Sequence, residues 1–149
     1  MPLLLQIESV DKWFSEAIPL IYAHWQELGL DTDLRGDINT EVLRQLEAIG
    51  RLSVITVRDG EALVGYLVAI HFPHLHYQSS PPMFMVDMYY IKPEYRKGAG
   101  VRLFRFMESY AKQLGCCKIY LTCKVHKDHS KLFEGLGFRL SDYAFTKRI

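Results

Sequence analysis

The sequence has few cysteines, no long apolar run and no excess of charge of either sign. Its three cysteines, Cys116, Cys117 and Cys123, are an odd number clustered late in the chain, which is a poor disulfide framework. We therefore expect reduced thiols and a cytoplasmic location. No stretch approaches the ~20 apolar residues that cross a bilayer, and the first residues do not resemble a signal peptide. A net charge of +1 gives no general attraction to nucleic acid or to a membrane surface.

Three common ligand motifs are also missing. No G-x-x-x-x-G-K-[ST] occurs, which excludes a P-loop nucleotide hydrolase. The run "GAGVRL" (98–103) lacks the third glycine of a dinucleotide fingerprint, and no first βαβ unit surrounds it. His71, His74 and His76 do not have the spacing of a standard zinc site, and no cysteine lies near them. We therefore expect no metal.

Apolar periodicity is present along the whole chain, and 149 residues suit one domain, 1–149, with a single core. The pattern predicts, in order, a strand at 3–9, helices at 11–28 and 39–49, a hairpin at 52–72 around Asp59-Gly60, a strand at 83–91, a helix at 100–114, a strand at 117–123, a short helix at 126–137, and a final strand or strand pair at 138–149. Pro19 predicts a kink or split in the first helix. Helices that interleave with strands indicate an α/β or α+β domain with three layers around a mixed sheet.

The first helix has an apolar face in this prediction. Its members recur at three- and four-residue spacing: Trp13, Phe14, Ala17, Ile18, Ile21, Tyr22 and Trp25.

The stretch "YYIKPEYRKGAGVRLFRF" (89–106) joins an apolar strand to a helix through Gly98 and Gly100, with Arg96 and Lys97 just before them. A glycine lets a ligand approach its backbone closely. The first turn of a helix carries amides without intrahelical partners and the positive end of the helix dipole. The stretch therefore suits a phosphate or pyrophosphate, although glycines at such turns also serve geometry alone.

The run from Val86 to Phe138, about a third of the chain, resembles the GNAT superfamily of acetyl-CoA-dependent acyltransferases. The similarity is carried by "MYYIKPEYRKGAGVRLFRF", the helix and strand that follow, and "LFEGLGF" (132–138). It implies a three-layer α-β-α fold, α/β (α+β), around a mixed, mostly antiparallel sheet with a splayed central strand pair. The compact length and "PEYRKG" are also similar to phage-encoded members.

The resemblance implies a site for acetyl-CoA as co-substrate. Backbone amides at the turn would hold the pyrophosphate, and the end of the 83–91 strand would pair with the pantetheine arm, with an N–H near Met88 or Tyr89 polarising the thioester carbonyl. Arg102 or Arg105 would reach the 3′-phosphate or be solvated helix charges. The cofactor-binding residues are then Met88, Tyr89, Tyr90, Ile91, Arg96, Lys97, Gly98, Ala99, Gly100, Val101 and Arg102.

Two residues depart from the family pattern. Tyr95 stands where the family has Arg or Gln when the glycines are aligned, and a one-residue deletion would instead restore Arg96 to that place. Phe133 replaces the tyrosine that often acts as general acid, and phenylalanine has no proton to donate.

Candidates for proton transfer lie near the expected thioester. Asp87 is the only charge inside its apolar strand and is the first candidate for the base, or else a structural aspartate. Tyr90 faces the opposite side of the strand from Tyr89, so one of them is expected to face the cleft. His126, with His129 as an alternative, begins the last helix. These assignments make Asp87, Tyr90 and His126 the catalytic candidates.

The expected activity is acetyl transfer from acetyl-CoA to a primary amine by direct attack in a ternary complex. The alternative is a binding or structural module that keeps coenzyme A affinity, or only the fold. The acidic loop with Asp31, Asp33 and Asp37 would favour a cationic amine or would be a solvated loop. The partner is an amine-bearing small molecule or protein, with no nucleic acid or membrane, and a homodimer is among the states left open.

Overall fold

Five strands form one sheet in which spatial order follows sequence order. The computed structural model describes residues 2–29 and 37–149. The strands are β1 (Leu4–Glu8), β2 (Leu52–Asp59), β3 (Ala62–Phe72), β4 (Met83–Ile91) and β5 (Lys118–Tyr120). Neighbours from β1 to β4 are antiparallel and β5 runs parallel to β4. The predicted mixed, mostly antiparallel sheet is confirmed.

Helices cover both faces of this sheet and give the expected three layers. The helices are α1 (Val10–Leu28), α2 (Thr40–Ala48), α3 (Arg96–Gln113) and α4 (Ser130–Gly135), and a 3-10 turn at Pro93–Tyr95 precedes α3. One apolar cluster joins α1 and α2 to the sheet, and a second joins α3 and α4 to its other face. No helix of the described part of the chain is long and apolar enough to span a bilayer.

Local turn chemistry explains where several elements begin and end. Gly60 in the Asp59-Gly60 turn has a φ of 59°, so the predicted hairpin between β2 and β3 is confirmed. Asn39 caps α2, because its side-chain oxygen accepts a hydrogen bond from the Val42 amide at 3.2 Å.

The helix α1 corrects two expectations. It is continuous through Pro19, which is exposed, so the predicted split at this residue is wrong. The buried face is also rotated, because Ile18 and Tyr22 are 56% and 66% exposed while Val10 and Leu20 are buried.

The predicted final strand at 138–149 is wrong, since residues 139–149 have no regular secondary structure and are exposed. The predicted strand at 117–123 is shorter than expected, since only Lys118–Tyr120 pair with β4. A three-residue edge offers few ladder hydrogen bonds, so the apolar pattern of the last segment finds no partner strand among the described residues.

A buried ion network ties β1, β2 and α1 together. The Arg58 guanidinium donates to both carboxylate oxygens of Glu8 at 2.6 and 2.9 Å, and to Glu16 at 2.8 and 3.0 Å. The Arg58 and Glu8 side chains are only 6% and 2% exposed. Burial alone would raise the pKa of Glu8, but hydrogen bonds from Arg58 and Gln6 and the Arg58 charge outweigh it and lower the pKa to about 2.

Arg58→Met is expected to lower the free energy of unfolding by about 3 kcal/mol, because it leaves a buried carboxylate without its partner. Denaturant melts measure this, with Arg44→Met at the exposed pair with Asp11 as the control that leaves the free energy unchanged within error.

The same network predicts acid sensitivity. The folded pKa of Glu8 lies below its ordinary value of 4.5, so its stabilisation is complete above that pH and is lost as the pH falls toward 2. Denaturant melts from pH 7 downward should therefore show a smaller decrease in the free energy of unfolding for Glu8→Gln than for the wild type. Equal decreases would contradict this account.

Candidate functional site

The strands β4 and β5 separate after the third of the nine residues of β4. Their ladder covers only Met83–Met85 against Lys118–Tyr120. The chain after β5, at 121–123, diverges, so the edge of β4 from Val86 onward is open on that side. A cleft of about 360 Å³ occupies the gap and extends to the end of α1 and the start of α3. This is the expected splayed strand pair.

A β-bulge lies at the point of separation. Val68 pairs with Met88 and Ala69 with Val86, so Asp87 is an extra residue of β4. Beyond the bulge, Met88 and Tyr90 contact the apolar cluster under α1, while Tyr89 contacts the cluster under α3. The bulge therefore changes which side chains of β4 share a face, at the place where the strand ceases to pair with β5.

Asp87 lines the cleft at this bulge. Its surface remains open to solvent, yet the surrounding protein desolvates the carboxylate and raises its pKa above the usual range. A carboxylate held in this way can accept a proton more readily than one in water.

The glycine turn lies within the first residues of α3 and interrupts the regular helix there. Gly98 has a φ of 82° and Lys97 a ψ of 99°, so regular helix begins after Gly98. Tyr95 supplies no side-chain cap, and a Cβ added at Gly98 would meet nothing within 4 Å. The first-turn amides therefore border open space, which suits an anion.

The Arg96 side chain joins this turn to α1. Its guanidinium donates to both oxygens of Glu27 at 2.7 and 2.8 Å and to the Ile91 carbonyl at 2.8 Å. Lys127 lies 3.5 Å from the same carboxylate. The Arg96 hydrogen bond, outweighing partial burial, lowers the pKa of Glu27. The two carboxylates of the cleft therefore have pKa values shifted in opposite directions.

A neutral histidine stands beside this ion pair. His24 Nδ1 lies 2.8 Å from the Tyr66 hydroxyl, and its ring stacks on Tyr90 with centroids 5.1 Å apart. Burial, the largest influence, lowers the pKa of His24 to about 4. His24 is thus uncharged at neutral pH and packs against the wall of the cleft.

Sequence reasoning missed His24 and Glu27. His24 follows Leu20 and Ile21 by four and three residues, so it continues the buried face of α1. That spacing would have found it, had the face been assigned correctly.

The Tyr89 side chain spans the gap between β4 and the segment that follows β5. Its hydroxyl donates to the Thr122 carbonyl at 3.1 Å and lies 3.1 Å from His129 Nδ1. Its ring packs edge-on against Phe104 and Phe133, with centroids 5.3 and 6.1 Å away. Both Tyr89 and Tyr90 line the cleft.

The candidates from the sequence divide into two groups. Those that line the cleft are Asp87, Met88, Tyr89, Tyr90, Ile91, Arg96 and Gly100. Those outside its lining are Lys97, Gly98, Ala99, Val101, Arg102 and His126. His126 is exposed, and it is His129 that lines the cleft. The Arg102 guanidinium donates to the Leu3 carbonyl at 2.7 Å.

The other described residues that the sequence singled out lie outside the cleft, apart from Cys123. His71 is buried in β3, where it bonds Ser53 at 2.8 Å and stacks on Phe84. Within 2–29 and 37–149 no group of three or more His, Cys, Asp or Glu side chains is arranged for a metal. Asp31 and Asp33 lie outside the described residues, and Asp37 is exposed. Cys123 lines the cleft, and Cys117 lies at the opposite end of β5.

Comparison with known proteins agrees with this geometry. A family model described as "Acetyltransferase (GNAT) family" matches residues 9–138. No curated protein sequence gives a significant match.

Solved structures give matches over the full length of the chain. Ribosomal-protein-alanine N-acetyltransferase from Brucella melitensis biovar Abortus 2308 is 20% identical with a TM-score of 0.76, covering 100% of both chains. A transcriptional regulator from Bacillus halodurans C-125 is 20% identical with a TM-score of 0.78, covering 99% of this chain and 100% of the other. Glucosamine-6-phosphate N-acetyltransferase from Arabidopsis thaliana is 12% identical with a TM-score of 0.75, covering 99% of both. At these identities the similarity establishes the fold.

Proposed function

The chain belongs to the acetyltransferase (GNAT) family, and from that premise we propose that it transfers an acetyl group from acetyl-CoA to a primary amine. The observation that carries the proposal is the separation of β4 from β5 beside an uncapped, glycine-broken helix start. The open strand edge borders the cleft and the helix start adjoins it through Arg96 and Gly100, so together they match the pantetheine arm and the neighbouring diphosphate of a coenzyme A thioester.

The donor binds along main-chain groups in this proposal. The amides from Lys97 to Val101 hold the diphosphate, since the Arg96 amide already donates to the Pro93 carbonyl, and Lys97 adds positive charge at the rim. The open edge of β4 from Asp87 to Ile91 pairs with the pantetheine arm as a strand would. The amide of Met88 or Tyr89, next to the bulge, polarises the thioester carbonyl. Arg96 is already bonded to Glu27 and Ile91, so its side chain fixes the end of β4 against α1.

Asp87 is the base that removes a proton from the acceptor amine in this proposal. Its raised pKa suits it to take a proton from the amine, whereas Glu27 is held ionised by Arg96 and is a weak base. The amine nitrogen then attacks the thioester carbon, the C–N bond forms and the C–S bond breaks. No side chain of the enzyme becomes acylated.

Gly98→Val is expected to weaken coenzyme A binding by roughly tenfold to a hundredfold, the worth of one or two charge-assisted hydrogen bonds. The branched side chain would occupy the space beside the first-turn amides and strain a backbone that holds φ at 82°. Calorimetric titration with acetyl-CoA measures the affinity.

Gly115→Val is the matched control, since Gly115 also has an open site and a φ of 77° but follows the far end of α3. If the two variants bind acetyl-CoA equally well, the diphosphate does not lie at Gly98.

Asp87→Asn is expected to lower kcat by about a hundredfold, because proton transfer by a positioned group contributes roughly 10²–10⁴ in rate. Thiol release is followed with a panel of amines. The wild-type rate should rise with pH through the pKa of Asp87, above the usual carboxylate range, and the variant should lose this rise.

Asp11→Asn, at an exposed carboxylate on α1, is the control and should keep the wild-type profile. An unchanged profile in Asp87→Asn would exclude Asp87 as the base. Binding of acetyl-CoA with no turnover on any amine would contradict the proposed activity itself.

A further inference from the structure

We propose that the Tyr89 hydroxyl, hydrogen-bonded to His129, delivers the proton that the departing thiol requires. The inference rests on the proposed function and names the proton donor of that same site. Breaking the C–S bond leaves a thiolate that must be protonated or stabilised before it departs. Phe133 stands where the family resemblance expects a tyrosine and has no proton to give.

The position of Tyr89 fits this task. The Phe133 ring is buried and lies 6.1 Å, centroid to centroid, from both the Tyr89 and the His129 rings. The Tyr89 ring, which carries a hydroxyl, thus packs edge-on against the Phe133 ring, which lacks one. That hydroxyl lies between β4 and the diverging segment at Thr122, which is the gap the thioester would enter.

The hydrogen bonds define a path for the proton. The Tyr89 hydroxyl carries one hydrogen, which it donates to the Thr122 carbonyl. The 3.1 Å contact with His129 then requires Nδ1–H to donate to the Tyr89 oxygen. A turn of the hydroxyl from Thr122 toward the cleft would aim its hydrogen at the sulfur.

The transfer is balanced in protons and electrons. The O–H proton of Tyr89 passes to the thiolate sulfur, whose electron pair forms the new S–H bond. As the Nδ1–H proton of His129 passes to the Tyr89 oxygen, Nε2 of the same ring takes a proton from water, so the ring stays neutral. The amine gives its proton to Asp87, and Asp87 releases it to the hydroxide left in the water, so the sum is amine plus thioester to amide plus thiol.

His129 is needed because Tyr89 releases a proton reluctantly. Burial, and then the neighbouring Cys123 thiol, raise the pKa of Tyr89 above its usual range. The hydroxyl therefore stays protonated at neutral pH, and a bare phenolate at this place would be costly. Because His129 Nδ1–H donates to the Tyr89 oxygen, no bare phenolate has to form while the Tyr89 proton passes to the sulfur.

Other titratable groups border the same space. Those that line the cleft are His24, Glu27, Asp87, Tyr90, Arg96, Cys123, Lys124 and Lys127, and Asp128 lies next to Cys123. Asp128 is engaged by the Ser130 amide at 2.8 Å and Lys127 by Glu27 at 3.5 Å. Their hydrogen bonds and charges are common to all variants below, so differences between the variants report Tyr89 and His129.

The first test needs no acceptor. Coenzyme A with a free thiol is bound to the full chain, and the ultraviolet absorbance of its thiolate is followed against pH. A hydroxyl that donates to the thiolate favours it, so the bound thiol in the wild type should titrate about one pH unit lower than in Tyr89→Phe. The phenylalanine keeps the packing against Phe104 and Phe133.

Tyr110→Phe is the control for this titration. Tyr110 is another hydrogen-bonded tyrosine of the same apolar cluster, accepting from Ser53 at 3.0 Å, and it lies outside the cleft. It should match the wild type. Identical titrations for the wild type and Tyr89→Phe would overturn the assignment.

The second test asks whether the two side chains act as one unit. Tyr89→Phe should lower kcat about a hundredfold with acetyl-CoA affinity unchanged. His129→Gln should lower kcat about tenfold, and the double variant should be no slower than Tyr89→Phe alone. Losses that multiply in the double variant would contradict a path from His129 through Tyr89.

The two proposals fail in different ways. A chain that binds coenzyme A without acetylating any amine defeats the proposed function, while the thiol titration still decides the role of Tyr89. Normal turnover in Tyr89→Phe defeats the role of Tyr89 and leaves the acetyltransferase activity intact. A chain with no affinity for coenzyme A defeats both.

Discussion

The loss of a strand partner along two thirds of β4, on its β5 side, is the constraint from which the cleft follows. Backbone N–H and C=O groups are almost always paired when buried. After Met85 the main chain of β4 pairs with no strand on its β5 side within residues 2–29 and 37–149, and the bulge at Asp87 shifts the groups that follow. Such an edge must be satisfied by water or by a bound chain-like molecule. The pantetheine arm is a molecule of that kind, which is why the open edge carries the proposed function.

Charges around the cleft are arranged so that one carboxylate is fixed and another is free. Arg96 and Lys127 hold Glu27 ionised, and this ion pair connects α1 to the end of β4. Asp87 pairs with no cation in the described part of the chain, and desolvation by the surrounding protein favours its neutral form. The neutral His24, stacked on Tyr90, fills the wall between them. The Glu27–Arg96 ion pair thus holds the elements together, while Asp87 is left for the proposed proton transfer.

The sequence predicted those features that depend on local chemistry. The Asp59-Gly60 hairpin and the glycine turn at the start of α3 were both found from short patterns. The splay of β4 and β5 came from the family resemblance, since no periodicity marks where two strands separate.

Features that depend on distant contacts were missed or wrong. The ion pair between Glu27 and Arg96 joins residues 69 positions apart. From the sequence His129 was only the alternative to His126, yet His129 contacts Tyr89 and lines the cleft, while His126 is exposed. The apolar pattern of 138–149 resembles a strand, but a strand requires a neighbour, and β5 is too short to supply one.

A crystal structure of the chain with coenzyme A would test the central claim most directly. The account predicts main-chain hydrogen bonds between the pantetheine arm and β4 from Asp87 to Ile91, with the diphosphate on the amides that follow Arg96. A diphosphate bound elsewhere, or a cleft closed by the protein's own side chains with β4 unoccupied, would contradict it.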